Sequence, residues 1–576
     1  MKGEITNRIA ETIAAACNKT SSDIHGLLQA PKNQDFGDIA LPCFFLAKEW
    51  KLSPQDCASK LAAQISLPNG VSEVTPVAGF LNFRFATNSL ADGILSKSFC
   101  PPDHLDIPEN RSIRLLVEYS CPNIAKPFHV GHIRTTLLGN CLDRVLRYLN
   151  YHIESINYLG DYGTQFGYVW AGSELWGKPQ NDSVMELLAI YRRATALKAE
   201  QESGEIKPEN KDLPDVKQMA QNFFVDLENK EIYAVDFWKW CLKISLDWFK
   251  KSYERLDIQF DHYTGESAYS DQLKQTIELV KQKGILVESQ GALGVDLGEQ
   301  DGFARLTTPD GRSLYLTRDI AAAMDRKETF NFSKVLHVVA APQALHFRHL
   351  RGILSKMGFP WANDIVHVAY GMVLGMQTRG GGTFIELNDF INEAQARALK
   401  VYHEQVTKRP ISCDEDAVVR SVARAAICFF YLNRSNNGDV QFNWDQALSF
   451  TGDSGPYVLY AYARICSIKE KFLSSGGVIS EPFDSSLLVE ESAHRLLTLL
   501  ENFESVVKKV GATYEPIALT TYALDLARAF SRTYNELHVV GVEPNLANAR
   551  LALFETTRAV LGKTLELLGI NPIARM

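Results

Sequence analysis

The chain has 576 residues, of which 46% are hydrophobic and 10% aromatic, and this is the composition of a packed globular protein with about three domains. No apolar run approaches the roughly 18–20 residues needed to span a bilayer, and the acidic N-terminus resembles no targeting peptide. The ten cysteines form no C-x-x-C pair, and the formal net charge is −8. The composition thus argues against a membrane partner, a disulfide framework and a zinc site, and it predicts a cytoplasmic protein.

Residues 1–105 are predicted to form a small α/β domain that ends in the proline-rich linker "CPPDHLDIPEN". An amphipathic helix comes first, and "GFLNFRF" at 79–85 has the alternation of a strand. The alternation places Phe80, Asn82 and Arg84 on one face and a uniformly apolar set on the other. The apolar set makes the better core, so Phe80 and Asn82 are expected on the open face; the alternative is that Phe80 belongs to the core.

Residues 106–407 alternate between apolar strand patterns and helical patterns. "SIRLLVEYS", "HIESINYLGDYG" and "KVLHVVAA" have the composition of buried parallel strands, and each is followed by a helical pattern. This alternation predicts a Rossmann-type, doubly wound parallel sheet, interrupted by a charged helical insertion at about 170–250. Long amphipathic helices such as "ESAHRLLTLLENFESVVKKV" fill 408–576, which we expect to be a separate all-α bundle.

The stretch "PNIAKPFHVGHIRTT" places His129 and His132 at the junction between a predicted strand and a predicted helix. Zinc-binding helices space two histidines four apart around a glutamate, so the metal interpretation is weak, although packed core histidines are a general alternative. Gly131 between them lets a phosphate approach the backbone closely. The helix start that follows attracts anions. The pattern therefore favours a role for both imidazoles in binding phosphate oxygens.

"HVGH" is similar to the HIGH signature of class I aminoacyl-tRNA synthetases, which smaller nucleotidyltransferases share. The strings "VEYSCPNIAKPFHVGHIRTTLLGN", "NYLGDYGTQFG", "DGRSLYLTRDIAAAMDR", "FTGDSGPYVLYAYAR" and "LLGINPIARM" resemble arginyl-tRNA synthetases in particular, from one end of the chain to the other. The resemblance implies ATP-dependent activation of L-arginine to arginyl-adenylate and its transfer to the 3′ end of tRNA(Arg). It also implies ATP as a substrate that carries its own Mg²⁺, no metal site, and a cytoplasmic monomer.

The resemblance also assigns the pockets residue by residue. ATP would contact His129, Gly131, His132 and Val373, and arginine would contact Glu118, Cys121, Pro122, Asn123, His132, Tyr315, Asp319 and Gln343. A guanidinium needs carboxylate and aromatic or amide partners, and Tyr315 and Asp319 share one helix face at i and i+4. The alternative for Asp319 is a surface ion pair with Arg318 or Arg326. Cys121 stands where the family more often has serine.

One departure from the family lies in "GMVLGMQTRGGGTF", the place of its second signature, KMSKS. Gly375 and Gly380 stand at the lysine positions, and only Arg379 keeps a cation. The resemblance implies that Lys126, just before the first signature, compensates, so the expected catalytic residues are His129, His132, Lys126 and Arg379. A catalytically weakened tRNA-binding paralogue and a class I enzyme for another amino acid remain the rival hypotheses.

The two ends of the chain are implied to contact tRNA. The N-terminal domain resembles the family's domain for the tRNA elbow, where Phe80 would stack on an unpaired base and Asn82 would bond to a base edge. The helical end resembles the family's DALR-like anticodon-binding domain, and Tyr534 in "LDLARAFSRTYNELHVV" would stack on anticodon-loop bases. The alternative for Tyr534 is packing against a neighbouring helix.

Overall fold

A computed structural model of the chain describes residues 2–31, 33–95, 101–126, 128–163, 165–179, 181, 183–309, 311–375, 385–406, 414–479 and 483–576. Its first unit is an antiparallel sheet of order β1-β3-β2 covered by helices, which confirms the predicted small α/β domain. The elements are α1 (Lys2–Cys17), α2 (Ser21–Leu27), β1 (Ile39–Pro42), α3 (Phe44–Trp50), α4 (Pro54–Gln64), β2 (Val71–Val77), β3 (Phe80–Phe85) and α5 (Thr87–Leu95).

The middle strand of this sheet, β3, carries the two residues predicted to face RNA. Phe80 is half-buried and packs edge-on against the exposed ring of Phe44, with ring centroids 5.4 Å apart. Asn82 is only 3% exposed, and its Nδ2 donates to the Thr75 carbonyl at 3.2 Å. The prediction that Asn82 lies on an open face is therefore wrong, because the side chain is buried and its amide is used by the Thr75 carbonyl of β2.

The second unit is built on a five-stranded sheet of order β11-β10-β4-β5-β6 in which all neighbouring strands are parallel. Its first strand, β4, lies in the middle, so the chain winds outward in both directions and the doubly wound prediction is confirmed. The elements in chain order are β4 (Arg114–Glu118), α6 (Ile133–Tyr148), β5 (His152–Leu159), α7 (Gln165–Trp176), α8 (Val184–Ser203), α9 (Val216–Glu228), α10 (Ile232–Leu256), β6 (His262–Gly265), α11 (Leu273–Gln282), β7 (Val287–Ser289), β8 (Ala292–Asp296), β9 (Phe303–Arg305), α12 (Tyr315–Phe330), β10 (Lys334–Ala340), α13 (Ala344–Lys356), β11 (Ile365–Tyr370), β12 (Val373–Leu374) and α14 (Leu387–Val406).

Two insertions interrupt the sheet. Helices α7 to α10 lie between β5 and β6, and they form the helical insertion that the sequence predicts. A small antiparallel sheet of order β7-β8-β9 lies between β6 and β10, and the sequence did not predict it. Its strands have three to five residues, too few for alternation to identify them.

The third unit is helical, as predicted. Its elements are α15 (Glu415–Leu432), β13 (Val440–Gln441), α16 (Trp444–Ala447), α17 (Gly455–Ser474), α18 (Glu491–Glu501), α19 (Phe503–Thr513), α20 (Ile517–Glu536) and α21 (Pro544–Leu567). The short strand β13 pairs in parallel with β12, so the chain near 440 returns to the second unit. The boundary at 408 stays a prediction. Within the residues that the structure describes, no helix is long and apolar enough to cross a bilayer.

The first unit docks on α18 of the third through a buried polar cluster. His494 is 5% exposed; its Nε2 lies 3.0 Å from an Asp38 carboxylate oxygen, and its Nδ1 lies 3.0 Å from the Thr87 hydroxyl. Burial alone would raise the pKa of Asp38, but the hydrogen bond and charge of His494 hold it below its usual value. An ion pair between Arg84 and Glu491 continues the contact. The N-terminal unit is thus fixed to the helical bundle by specific bonds.

Candidate active site

Three of the predicted pocket residues, Cys121, Asn123 and Gln343, lie where the strand order reverses. β4 and β10 are neighbours, and the chain leaves their carboxyl ends through residues 119–125 and through a short helical turn at Ala341–Gln343. Asn123 forms an isolated parallel bridge with Gly160, which brings in the end of β5. Open α/β sheets bind ligands in this crevice. Cys121, Asn123 and Gln343 are therefore at one edge of the sheet, as expected of a shared pocket.

The turn after β4 has an unusual backbone. Ser120, Cys121 and Ala125 have φ values of +73°, +47° and +56°, in the left-handed region. Each such residue costs on the order of 1–3 kcal/mol, and strain of this kind clusters at ligand sites. A Cβ on Gly160 would lie 2.2 Å from Asn123 Oδ1, so only glycine lets Asn123 cross the end of β5. The strained backbone of this turn therefore indicates that the side chains it presents have a function.

The electrostatics connect this turn to α12. Burial raises the pKa of the Cys121 thiol well above its usual value, and the carboxylates of Glu118 and Asp319 raise it further. Such an effect requires proximity, so Asp319 lies within electrostatic reach of Cys121. The thiol stays protonated at neutral pH. Pro122, next in the chain, is buried and Asn123 is exposed.

The histidine pair is held by its own local geometry. His129 precedes a short 3-10 helix, Val130–His132, and its Nδ1 accepts from the Gly131 amide at 3.1 Å. The two imidazole centroids are 4.0 Å apart. A Cβ on Gly131 would lie 2.8 Å from the His129 ring, so the glycine is needed for the ring to fold over the helix start. Within the described part of the chain, no group of three or more His, Cys, Asp or Glu side chains could hold a metal ion.

Both imidazoles are neutral at physiological pH. Burial lowers the pKa of His132 to about 3, and the His129 and Lys126 charges act in the same direction. Burial, followed by the charge of Lys126, also lowers the pKa of His129. The Lys126 ammonium lies 5.8 Å from the Tyr191 ring centroid. Consequently the histidines can offer neutral N–H donors to an anion, whereas Lys126 supplies positive charge.

A buried arginine at the start of α6, two residues after HVGH, binds two distant stretches of backbone. Arg134 is 3% exposed, and its two terminal nitrogens donate to four carbonyl oxygens. Those oxygens belong to Gly371 at 2.6 Å, Gly438 at 2.5 Å, and Ser435 and Asn436 at 2.9 Å each. The guanidinium therefore ties α6 to the chain just before β12 and just before β13.

The chain that follows β12 returns to the histidine segment and is bonded to it at Ile385 and Glu386. The Val130 amide donates to the Ile385 carbonyl at 3.0 Å, and His129 forms an antiparallel bridge with Glu386. The segment predicted to replace KMSKS thus has described residues bound to HVGH on both flanks. Arg379 and Gly380 themselves lie outside the described residues. Val373 is buried in β12, so its predicted contact with ATP would use its backbone.

Asp319 lies at the start of α12 and has an imidazole partner. Its Oδ2 is 2.6 Å from His346 Nε2, and the same imidazole lies 5.7 Å from the Tyr315 ring, centroid to centroid. Tyr315 is 59% exposed, so its ring is open to a ligand. The alternative of a surface ion pair with Arg318 or Arg326 is wrong for Asp319. Those two guanidiniums pair with other carboxylates.

Glu118 is not available to the predicted arginine pocket, because Arg326 pairs with it. Arg326 Nη1 lies 2.5 Å from Glu118 Oε2, and His337 Nδ1 lies 2.8 Å from Oε1. All three side chains are buried. Burial would raise the pKa of Glu118, but Arg326 and His337 lower it to about 2. The expectation of a second carboxylate open to substrate is not met, because Arg326 and His337 already occupy its two oxygens.

We expect Glu118→Gln to destabilise the protein by roughly 3 kcal/mol at pH 7, since a carboxyl pKa of about 2 in the folded state lies below its ordinary 4.5. A carboxyl group whose pKa is lowered by folding stabilises the protein at pH values above the pKa of the unfolded state. The difference in unfolding free energy between wild type and variant should therefore shrink as the pH falls from 4.5 toward 2. Urea unfolding as a function of pH measures this. Glu504→Gln, which removes an exposed pair with Lys508, is the control and should change little. An equal difference at pH 7 and pH 3 would contradict the assignment.

The surroundings of Arg318 include two carboxylates, Glu266 and Asp161, that the sequence did not reveal. Arg318 Nη1 lies 2.8 Å from Glu266 Oε2, just beyond β6. Burial raises the pKa of Glu266 to about 7; Arg318 opposes the shift, while Asp319 and Asp161 add to it. Glu266 thus lies within electrostatic reach of Asp161 and Asp319, and a cation bound nearby would lower its pKa again.

Three family models match the chain. "tRNA synthetases class I (R), catalytic domain" matches residues 103–444, "Arginyl tRNA synthetase N terminal domain" matches 3–85, and "DALR anticodon binding domain" matches 458–576. An arginine–tRNA ligase of Clostridioides difficile is 35% identical over 585 aligned residues, covering 100% of this chain and 99% of that protein.

The chain belongs to the arginyl-tRNA synthetase family.

Further relatives of the family agree with this assignment. An arginine–tRNA ligase of Halothermothrix orenii is 35% identical and is covered completely, as is this chain. The solved structure of the Thermus thermophilus arginyl-tRNA synthetase superposes with a TM-score of 0.78 at 25% identity, covering 99% of this chain and 100% of that one. The Plasmodium falciparum arginyl-tRNA synthetase, at 23% identity and a TM-score of 0.79, shares the fold, with 100% of this chain and 99% of that one covered.

Within the family's anticodon-binding domain, Tyr534 lies on α20 with one ring face covered. The Arg464 guanidinium carbon is 4.1 Å from its ring centroid, and the Phe530 ring is 6.1 Å away. Tyr534 is half-buried, so packing and base contact are compatible on different faces. Its predicted contact with the anticodon loop stays a prediction.

Proposed function

We propose that the chain is an arginine–tRNA ligase that activates L-arginine with ATP and charges tRNA(Arg). The observation that supports this proposal is that the turn after β4 adjoins both groups: the Asp319 charge acts on Cys121, and Thr136 joins Ser120 to the carbonyl of His132. An adenylate has a phosphate at one end and, with arginine, a guanidinium at the other. A pocket with neutral donors at one end and carboxylates at the other is complementary to both.

The proposed reaction has two displacement steps. A carboxylate oxygen of arginine forms a bond to the α-phosphorus of ATP, and the bond to the bridging oxygen breaks to release pyrophosphate. A terminal ribose hydroxyl of the tRNA then attacks the arginyl carbonyl, loses its proton and displaces AMP. Proteins accelerate such steps by positioning and charge stabilisation. Mg²⁺ is proposed to enter with ATP, since it is usually bound through substrate phosphates.

On the phosphate side, the side chains have distinct tasks. His129 and His132 would donate neutral hydrogen bonds to phosphate oxygens, and Gly131 leaves room for the nucleotide. Lys126 would neutralise charge that develops on the pyrophosphate, together with Arg379. Val373 is proposed to contact ATP through its backbone. Neutral donors aimed at developing charge are effective because they need no reorganisation during the reaction.

On the amino-acid side, Asp319 would bind the guanidinium and Tyr315 would lie over or beside it. Asn123 and Gln343, both exposed at the crevice, are proposed to bond to the polar groups of arginine. Glu266 adds negative charge to this end, and its raised pKa would fall when a guanidinium binds. The site would therefore select a cation with several donors.

The tRNA is proposed to contact all three units. Phe80 and its neighbour Phe44 offer aromatic surface on the N-terminal unit, and Tyr534 marks the proposed anticodon surface on α20. Phe44 is 52% exposed, which leaves its face open for stacking. We further propose that the protein is a cytoplasmic monomer, which light scattering after gel filtration tests directly.

The decisive experiment is aminoacylation with radiolabelled arginine, bulk tRNA and ATP. We expect wild type to charge tRNA, and Lys126→Ala to lose about 100-fold in turnover with little change in arginine binding, because a lost cation at a charge-developing site costs about 3 kcal/mol. Lys178→Ala is a matched control, since Lys178 also lies 5.8 Å from an aromatic ring centroid, that of Phe237.

Other outcomes separate the rival hypotheses. Charging with a different amino acid would favour another class I specificity. Tight tRNA binding without any charging would identify a paralogue that has lost catalysis. Full turnover of Lys126→Ala would contradict the compensating role of that lysine while leaving the ligase function intact.

A further inference from the structure

Helix α10 of the insertion supports the left-handed turn from behind. Ser245 Oγ accepts from the Ala125 amide at 2.9 Å and donates to the Cys241 carbonyl at 2.8 Å. The Tyr253 hydroxyl lies 2.8 Å from Ser120 Oγ. Ser245 and Tyr253 are both fully buried. One helix thus bonds to the first and the last left-handed residue of the turn.

The hydroxyl contacts form a chain with one direction. Thr136 Oγ1 donates to the His132 carbonyl at 2.7 Å, so in its 2.8 Å contact with Ser120 Oγ it must accept. The Ser120 hydroxyl therefore donates to Thr136 Oγ1 and accepts from the Tyr253 hydroxyl. The Tyr253 oxygen in turn accepts from Asn157 Nδ2 at 2.8 Å. This series of hydrogen bonds runs from Asn157 on β5 through Tyr253 on α10 and Ser120 in the turn to the carbonyl of His132.

We infer that Tyr253 and Ser245 are positioning residues for the amino-acid substrate. They act through Ser120 and Ala125, whose bonds hold the strained turn that presents Cys121 to the pocket. A strained backbone persists only where surrounding bonds determine it. Thr135 and Gly160 also bond to the turn, but Tyr253 and Ser245 are the contacts that α10 makes with its two left-handed ends. The inference rests on the proposed function, because it assumes that this turn contacts arginine.

Two conservative variants test the inference. In Tyr253→Phe and Ser245→Ala, the KM for arginine should rise about tenfold, the equivalent of ~1.4 kcal/mol. The KM for ATP should stay within about twofold, since Ser120 can still donate to Thr136 in both variants and the HVGH backbone is held separately by Ile385 and Glu386. A merely structural role would not separate the two constants.

Two control variants remove buried hydroxyls that do not contact the turn. Tyr522→Phe removes another buried hydroxyl, which donates to the Leu499 carbonyl at 3.0 Å in the helical bundle. Ser252→Ala removes a buried hydroxyl from α10 itself, one that contacts Trp248 and Asn388 instead of the turn. Both controls should leave the KM for arginine unchanged.

Amide hydrogen exchange provides the second readout. The Ala125 amide should exchange faster in Ser245→Ala than in wild type, and Tyr253→Phe should speed exchange of the Ser120 amide. Unchanged exchange, or a rise in both KM values together, would overturn the inference. If wild type charged no arginine, the proposed function would fail, whereas exchange would still decide whether α10 holds the turn.

Discussion

Asp319→Asn should lower kcat/KM for arginine by at least about 100-fold in the aminoacylation assay, since removing one partner of a desolvated charge pair costs ~3–5 kcal/mol. The substitution keeps the size of the side chain and its contact with His346, so the fold should be retained. Equilibrium binding of labelled arginine measures the same loss without turnover. The Glu266 carboxylate nearby cannot compensate fully, because Arg318 already pairs with it.

Asp325→Asn serves as the control for this variant. Asp325 lies on the same helix, two turns on, and accepts a bond from the Tyr269 hydroxyl at 3.3 Å instead of facing the crevice turn. Arginine binding should be unaffected there. If Asp319→Asn bound arginine as tightly as wild type, the α12 carboxylate would not be the guanidinium site, and a different amino acid would be the better substrate.

His132→Ala should reduce the rate of arginine-dependent ATP–pyrophosphate exchange, run with tRNA present, by about 10²–10³, the usual effect of removing one hydrogen-bond donor at a charge-developing site. Because burial holds the pKa of His132 at about 3, the imidazole is neutral throughout the working range. The wild-type rate should therefore show no titration of this residue between pH 5 and 8. Arginine affinity should change far less than the rate.

His152→Ala is the control, since His152 is an exposed imidazole on β5 that pairs with Glu154 at 3.2 Å. The pH dependence of stability offers a further check on His132. The unfolded imidazole takes up a proton near pH 6.5 and the folded one near 3, so protonation destabilises the fold as pH falls below 6.5. His132→Ala should weaken that loss. An unchanged exchange rate in His132→Ala would remove the residue from the phosphate site.

The sequence predicted the elements whose pattern is strong. β4 and β10 are rich in buried Val and Leu, and the HVGH segment after β4 marks the crevice between them. β6 was missed because its four residues, His262–Gly265, are mostly polar, and Glu266 was missed with it. A pattern of alternation divides a strand into two faces, but it cannot say that a neighbouring strand will use the amide of Asn82.

Partners from distant parts of the chain account for the rest. The position of Glu118 at a strand end suggested an open carboxylate, whereas Arg326 and His337, from α12 and β10, close over it. Likewise, Tyr253 looks like an ordinary core tyrosine of an amphipathic helix until its hydroxyl is placed beside Ser120. Local sequence signals such contacts poorly, because they depend on where the helices pack.

The docking of the first unit on α18 limits how freely the protein can be rearranged. Truncation before Pro101 would uncover His494, now buried against Asp38, and would leave Glu491 without Arg84. The N-terminal unit is therefore not a detachable accessory, and its loss should loosen the helical bundle that forms the anticodon-binding domain. Transplanting this module from a relative should succeed only if the recipient helix is exchanged with it, as a matched pair of faces.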